Sequence, residues 1–165
     1  MKEILPNFHW IIEDFLAGMA QPGSSYQDPI QDLMTLKKMG FGIIVTLTEK
    51  SLPIDMVLGA GLSPVHIPVN DFEAPTIEQA QNFCELVDRM HEMKKKVVVH
   101  CYAGYGRTGT MMAVYLIYKF NMTPEEAMEK LRQIDRGYIQ SASQEEFLYE
   151  WHQEVCKRKV NDESR

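Results

Sequence analysis

One stretch limits the fold of this chain more than any other. Lys96-Val97-Val98-Val99-His100 is a continuous apolar run that ends abruptly in a turn containing Gly104 and Gly106. Unbroken runs of β-branched residues belong to strands covered on both faces, in the middle of a sheet. After the turn, residues 107–120 read as a helix whose apolar surface is built from Met111, Met112, Val114, Tyr115 and Ile117. A buried strand passing through a tight turn into an apolar-faced helix calls for a layered α/β structure.

The rest of the chain repeats that alternation. Residues 8–12 read as an opening strand. Residues 28–39 carry a helical pattern that stops at Gly40, a residue suited to a helix end. Residues 42–48 contain Ile-Ile-Val-Thr-Leu, a buried strand by composition, and residues 64–69 form a second short strand. A long helix over 76–94 opens on Thr76 and Gln79, a capping-box pair. Thr123-Pro124-Glu125-Glu126 starts another helix, with cap, proline and capping-box glutamate in order. A last helix begins at about Ser143. The expected fold is a central, mainly parallel sheet flanked by helices, with ligands bound beyond the carboxyl ends of its strands.

Chain length suits a single domain over residues 1–165, with the polar tail 157–165 expected to fray. The net charge of −6 argues against a general nucleic-acid-binding surface. No run approaches the roughly 20 apolar residues of a membrane span, and the N-terminus does not read as a secretory signal. The three cysteines, Cys84, Cys101 and Cys156, are too scattered for a disulfide framework or a zinc site. Free thiols are expected in a reducing compartment, hence a cytoplasmic location.

The informative chemistry lies where the buried strand ends, in His100-Cys101-Tyr102-Ala103-Gly104-Tyr105-Gly106-Arg107-Thr108-Gly109. Here Cys101 is delivered to the sheet's carboxyl edge. The glycines let the backbone turn N–H groups of Tyr102, Ala103, Gly104, Tyr105 and Gly106 inward around an anion. The following helix adds the positive end of its dipole, and Arg107 grips two oxygens at once. The same features favour a thiolate on Cys101 over a thiol. Thr108 sits where its hydroxyl reaches the sulfur, and His100 ties the loop to neighbouring backbone. A group leaving from phosphorus needs a proton, and no acid is present in this loop. Asp71 follows the 64–69 strand on the same edge and is the candidate acid, ahead of Glu73. Glu49, on the loop after the 42–48 strand, falls within reach of Arg107.

This loop resembles the signature of the cysteine-dependent protein tyrosine phosphatase superfamily. From Pro6 to about His152 the chain is similar to the small atypical dual-specificity phosphatases. The likeness rests on Pro6-Asn7-Phe8 with Trp10, Leu16-Ala17-Gly18, Leu47-Thr48-Glu49, the Asp71 loop, the Cys101 loop and Gln144. It implies that Cys101 is the nucleophile and Arg107 the phosphate clamp. Asp71 would act first as general acid, then as the base that activates water, and Gln144 would help place that water. The chain departs from the family at Asp135-Arg136-Gly137, where a proline often precedes the glycine. The resemblance implies a phosphorylated protein as substrate and neither metal nor cofactor. Rival readings are a phosphoinositide phosphatase, an RNA 5′-phosphatase and an inactive phosphate-binding module. The first is disfavoured because Tyr102, Ala103 and Tyr105 supply no lysine for a multiply charged headgroup.

Overall fold

The computed structural model describes residues 5–164; residues 1–4 and 165, the ends of the domain expected over 1–165, lie outside the described residues. In chain order the elements are β1 (His9–Ile12), β2 (Leu16–Met19), α1 (Pro29–Lys38), β3 (Phe41–Thr46), α2 (Ile54–Gly59), β4 (Ser63–His66), α3 (Ile77–Glu92), β5 (Lys96–His100), α4 (Gly106–Phe120), α5 (Pro124–Ile134) and α6 (Ala142–Glu163).

The sheet has the order β1-β2-β5-β3-β4. Only the β1–β2 pair is antiparallel, and β5 lies in the centre with parallel neighbours on both sides. The Val97-Val98-Val99 run explains this position. Val97 and Val99 face the cluster covered by α3–α6, while Val98 faces the cluster beneath α1 and α2. A strand with apolar side chains on both faces has no solvent-facing alternative. The parallel strands β2, β5 and β3 bring Met19, His100 and Thr46 into register at one edge. The Cys101 loop lies beyond that edge.

Helix starts are where the side chains say they should be. Thr76 with Gln79 and Thr123 with Glu126 form complete capping boxes, and Asp28 caps α1. Ser141 and Gln144 form a third box, so α6 starts one residue before Ser143. The tail expected to fray continues α6 to Glu163. Residues 156–164 are exposed, so their polar composition reflects a helix that leaves the core and meets water on every face.

Two elements escape the sequence patterns. Strand β2 is Leu-Ala-Gly-Met, fully buried yet without a β-branched residue. Its Gly18 lets α4 approach closely, since a Cβ there would lie 2.9 Å from Thr108 Cγ2. Helix α2 has six residues and no side-chain cap, too few for a period to show. Strand β4 ends at His66, short of the expected Val69. The chain beyond still pairs partly, through Ile67 N to Thr46 O and Val69 N to Leu47 O. That residual pairing carries the next loop to the sheet's carboxyl edge.

Candidate active site

Cys101 follows the last residue of β5 with its side chain buried, and Thr108 Oγ1 donates to its sulfur at 3.1 Å. Between them the loop folds back on the ends of β2 and of the N-terminal segment. Gln21 N donates to Tyr102 O, and Asn7 Nδ2 donates to Ala103 O, both at 2.9 Å. At Gly104 φ is +87°, and a Cβ would stand 2.7 Å from the backbone of Met19 and Ala20. Only glycine fits, on conformation and on space. Helix α4 begins at Gly106, so its first-turn N–H groups, which lack intrahelical acceptors, open onto the loop.

Arg107, 4% exposed, lies in that first turn. Its Nη1 donates to Glu49 and to Val69 O, the latter at 2.9 Å. Its Nη2 lies 3.5 Å from Asp71 Oδ1. Its Nε is buried without a hydrogen-bond partner among the described residues. A buried guanidinium N–H left open is costly unless a ligand oxygen takes it. The Glu49 carboxyl is held below the usual carboxylate range by its own backbone N–H and then by Arg107. Glu49 thus fixes one side of the guanidinium and leaves the Nε side for an anion.

Asp71 stands on the loop after β4, with its side chain about half exposed. Phe72 N donates to its Oδ1 at 3.0 Å. Gln21, Thr48, Glu49, Lys50, Asp71 and Tyr102 surround a shallow depression that includes Arg107. Glu73 turns elsewhere, accepting from Asn70 Nδ2.

His100 is fully buried beneath the loop. Its Nδ1 meets the Cys101 carbonyl at 2.9 Å and its Nε2 meets Thr46 Oγ1 at 2.8 Å. A carbonyl only accepts, so Nδ1 carries the proton and Nε2 accepts from Thr46. Burial, and then the Arg107 and His66 charges, push the imidazolium down to about pH 4, although the Cys101 carbonyl pulls the other way. The ordinary histidine value is 6.5. Unfolded His100 therefore binds a proton across a window, from about 6.5 to about 4, where folded His100 does not. Stability is unaffected above that window and falls as pH drops through it, by about 3 kcal/mol in all at roughly 1.4 kcal/mol per pH unit. Denaturant midpoints measured across this range should decline more steeply for the wild type than for His100→Gln.

Gln144 is buried with most of its capacity used. Its Oε1 accepts from Gln140 N at 2.8 Å and Ser141 N at 3.2 Å, and its Nε2 donates to Glu73 O at 3.2 Å. It closes the α6 capping box and ties α6 to the Asp71 loop. It also borders the Cys101 loop, since a Cβ on Gly106 would lie 3.2 Å from its Nε2. The departure at Asp135-Arg136-Gly137 has a local logic. Asp135 accepts from Gly137 N at 2.8 Å and meets His9 Nε2 at 3.2 Å. Gly137 lies flat on the Tyr105 ring, where a Cβ would stand 2.8 Å from Cδ1.

The structure thus gathers Cys101, Arg107, Thr108, Asp71, Glu49 and the 102–106 loop at one edge, with His100 below and Gln144 behind. Sequence reasoning missed Thr46 under His100, the Val69 carbonyl on Arg107, and Ser141 and Ser143, whose hydroxyls reach the Phe72 carbonyl. The Ser-x-x-Gln pattern at 141–144 was the available signal for the last pair.

Comparison with known proteins bears on the family and the fold. The family model described as "Polymorphic toxin system, DSP-PTPase phosphatase" matches residues 17–121. Tyrosine-protein phosphatase cdcA of Emericella nidulans is 26% identical over 129 residues, covering 73% of this chain and 22% of that protein. The phosphatidylglycerophosphatase and protein-tyrosine phosphatase 1 of Rattus norvegicus is 36% identical over 84 residues, 51% of this chain and 44% of that protein. The matches therefore span less than half the length of these two relatives. Among solved structures, the active form of Tk-PTP superposes with a TM-score of 0.80 at 25% identity, covering 91% of this chain and 99% of that one.

Proposed function

Since this chain belongs to the DSP-PTPase phosphatase family, we propose that it hydrolyses phosphotyrosine in proteins, and phosphoserine and phosphothreonine where the shallow cleft admits them. The Cys101 thiolate attacks phosphorus, forming the S–P bond as the P–O bond to the substrate breaks. Asp71 gives its proton to the departing oxygen. Water then attacks the phosphocysteine, Asp71 takes the water's proton, and inorganic phosphate leaves with Cys101 again a thiolate. Arg107 and the loop N–H groups carry the charge of the transferring phosphoryl group, the role a metal plays elsewhere. The observation that carries this reading is the buried Arg107, with Nε open, between the thiol loop and Asp71. A thiolate nucleophile works where thiols stay reduced, which favours a cytoplasmic setting.

A second reading is a lipid phosphomonoesterase, favoured by the name of the rat relative. The pocket residues weigh against it: Glu49 and Asp71 offset Lys50, so a multiply anionic headgroup gains little.

Phosphate release in EDTA separates these readings, using a phosphotyrosine peptide and phosphatidylglycerophosphate in mixed micelles. Turnover of the peptide should persist in EDTA, and Asp71→Asn should lower its kcat/KM by about 100-fold. Turnover confined to the lipid would replace the protein reading with the second. Activity lost in EDTA and restored by magnesium would overturn the arginine-based scheme.

A further inference from the structure

The loop that carries Asp71 is gripped at a single residue. Phe72 adopts φ +63°, a conformation that bulky L residues rarely take. Its side chain is exposed, so apolar packing does not impose that backbone. Its two peptide groups are both engaged. The N–H holds Asp71 Oδ1 at 3.0 Å. The carbonyl lies 2.6 Å from Ser141 Oγ and 3.0 Å from Ser143 Oγ, about seventy residues away in the chain. A carbonyl oxygen has two lone pairs, so it accepts from both hydroxyls. Ser141 is also the N-cap of α6, accepting from Gln144 N at 3.2 Å. Gln144 Nε2 holds the adjacent Glu73 carbonyl.

We propose that Ser141 and Ser143 are positioning residues for the proton donor. By holding the Phe72 carbonyl they fix the turn whose N–H side orients the Asp71 carboxyl toward the Arg107 pocket. The inference rests on the reading of Asp71 as general acid. The chemistry follows directly. An acid displaced by about 1 Å loses most of its value, because proton transfer needs hydrogen-bond reach in the transition state. The loss grows with the basicity of the departing oxygen, since a weakly basic oxygen leaves without a proton.

That dependence separates positioning from general damage. The test compares kcat/KM on 2,4-dinitrophenyl phosphate and on phenyl phosphate for four proteins: wild type, Asp71→Asn, Ser141→Asp/Ser143→Ala and Ser141→Asp/Ser143→Thr. Aspartate at 141 keeps a capping acceptor for α6 and removes the donor. Threonine at 143 returns one hydroxyl. The Asp/Ala variant should lose about tenfold on phenyl phosphate, part of the full contribution of a general acid, and stay within about twofold of wild type on the dinitrophenyl ester. The Asp/Thr variant should recover most of the loss. Equal losses on both esters, or a leaving-group dependence unchanged from wild type, overturn the positioning role. If Asp71→Asn itself loses equally on both esters, Asp71 is not the acid and the inference falls with that reading.

Discussion

Cys101→Ser should leave a folded protein with turnover reduced by at least about 10⁴-fold, a loss typical of removing a nucleophile from a cooperating set. The thiol is buried at the end of the central strand and accepts from Thr108. A serine hydroxyl occupies less space and still accepts that hydrogen bond, so denaturant unfolding should change by no more than about 1 kcal/mol. What disappears is the sulfur nucleophile, because a serine hydroxyl needs a base that this loop does not hold. The anion cradle is intact, so the variant should still bind a phosphotyrosine peptide. Rapid-quench labelling completes the test: wild type should accumulate a phosphate adduct that maps to Cys101, and the variant none. Full activity in a folded Cys101→Ser protein would end the cysteine mechanism.

Arg107→Lys should be the next most damaging change, despite keeping the charge. The guanidinium has three jobs at once: Nη1 serves Glu49 and the Val69 carbonyl, Nη2 faces Asp71, and Nε stays open. A single ammonium cannot span these directions, and lysine cannot present two parallel N–H groups to a phosphoryl group. Losing such preorganised donors costs about 10²–10³ in kcat. Because the contact tightens as charge develops, kcat should fall more than KM rises. The substitution also leaves Val69 O and Glu49 short of a donor, for a stability loss of about 1–3 kcal/mol. A variant with normal kcat and only a raised KM would show that Arg107 binds substrate without stabilising the transition state.

Much of this architecture was legible because the decisive segments obey strong local rules. Val97-Val98-Val99 cannot be solvated on either face, and its centrality in the sheet follows. The capping boxes at Thr76 and Thr123 announce their helices with two reciprocal hydrogen bonds each. Asp71 was placed with Arg107 by the rule that parallel strands deliver their following loops to one edge, and the two side chains do meet. What stayed hidden depends on tertiary position. Leu16-Ala17-Gly18-Met19 is a strand because it is buried between β1 and β5, against its composition. Gln144 was expected to place water. Beside the Cys101 loop at Gly106, its contacts are with the α6 cap and the Glu73 carbonyl, a partner 71 residues away that no local pattern encodes.

The central place of β5 also divides the reaction between two dynamic regimes. A strand hydrogen-bonded on both sides exchanges its amide protons only through large-scale opening, while exposed loops open at little free-energy cost. Cys101 is attached to the first kind of segment and Asp71 to the second. In the proposed mechanism, attack on phosphorus is therefore tied to a strand paired on both sides, and proton delivery to an exposed loop held by a few tertiary contacts. Partial opening reaches Asp71 before it reaches the sulfur, so turnover of esters with strongly basic leaving groups would fall while the nucleophile is still in place.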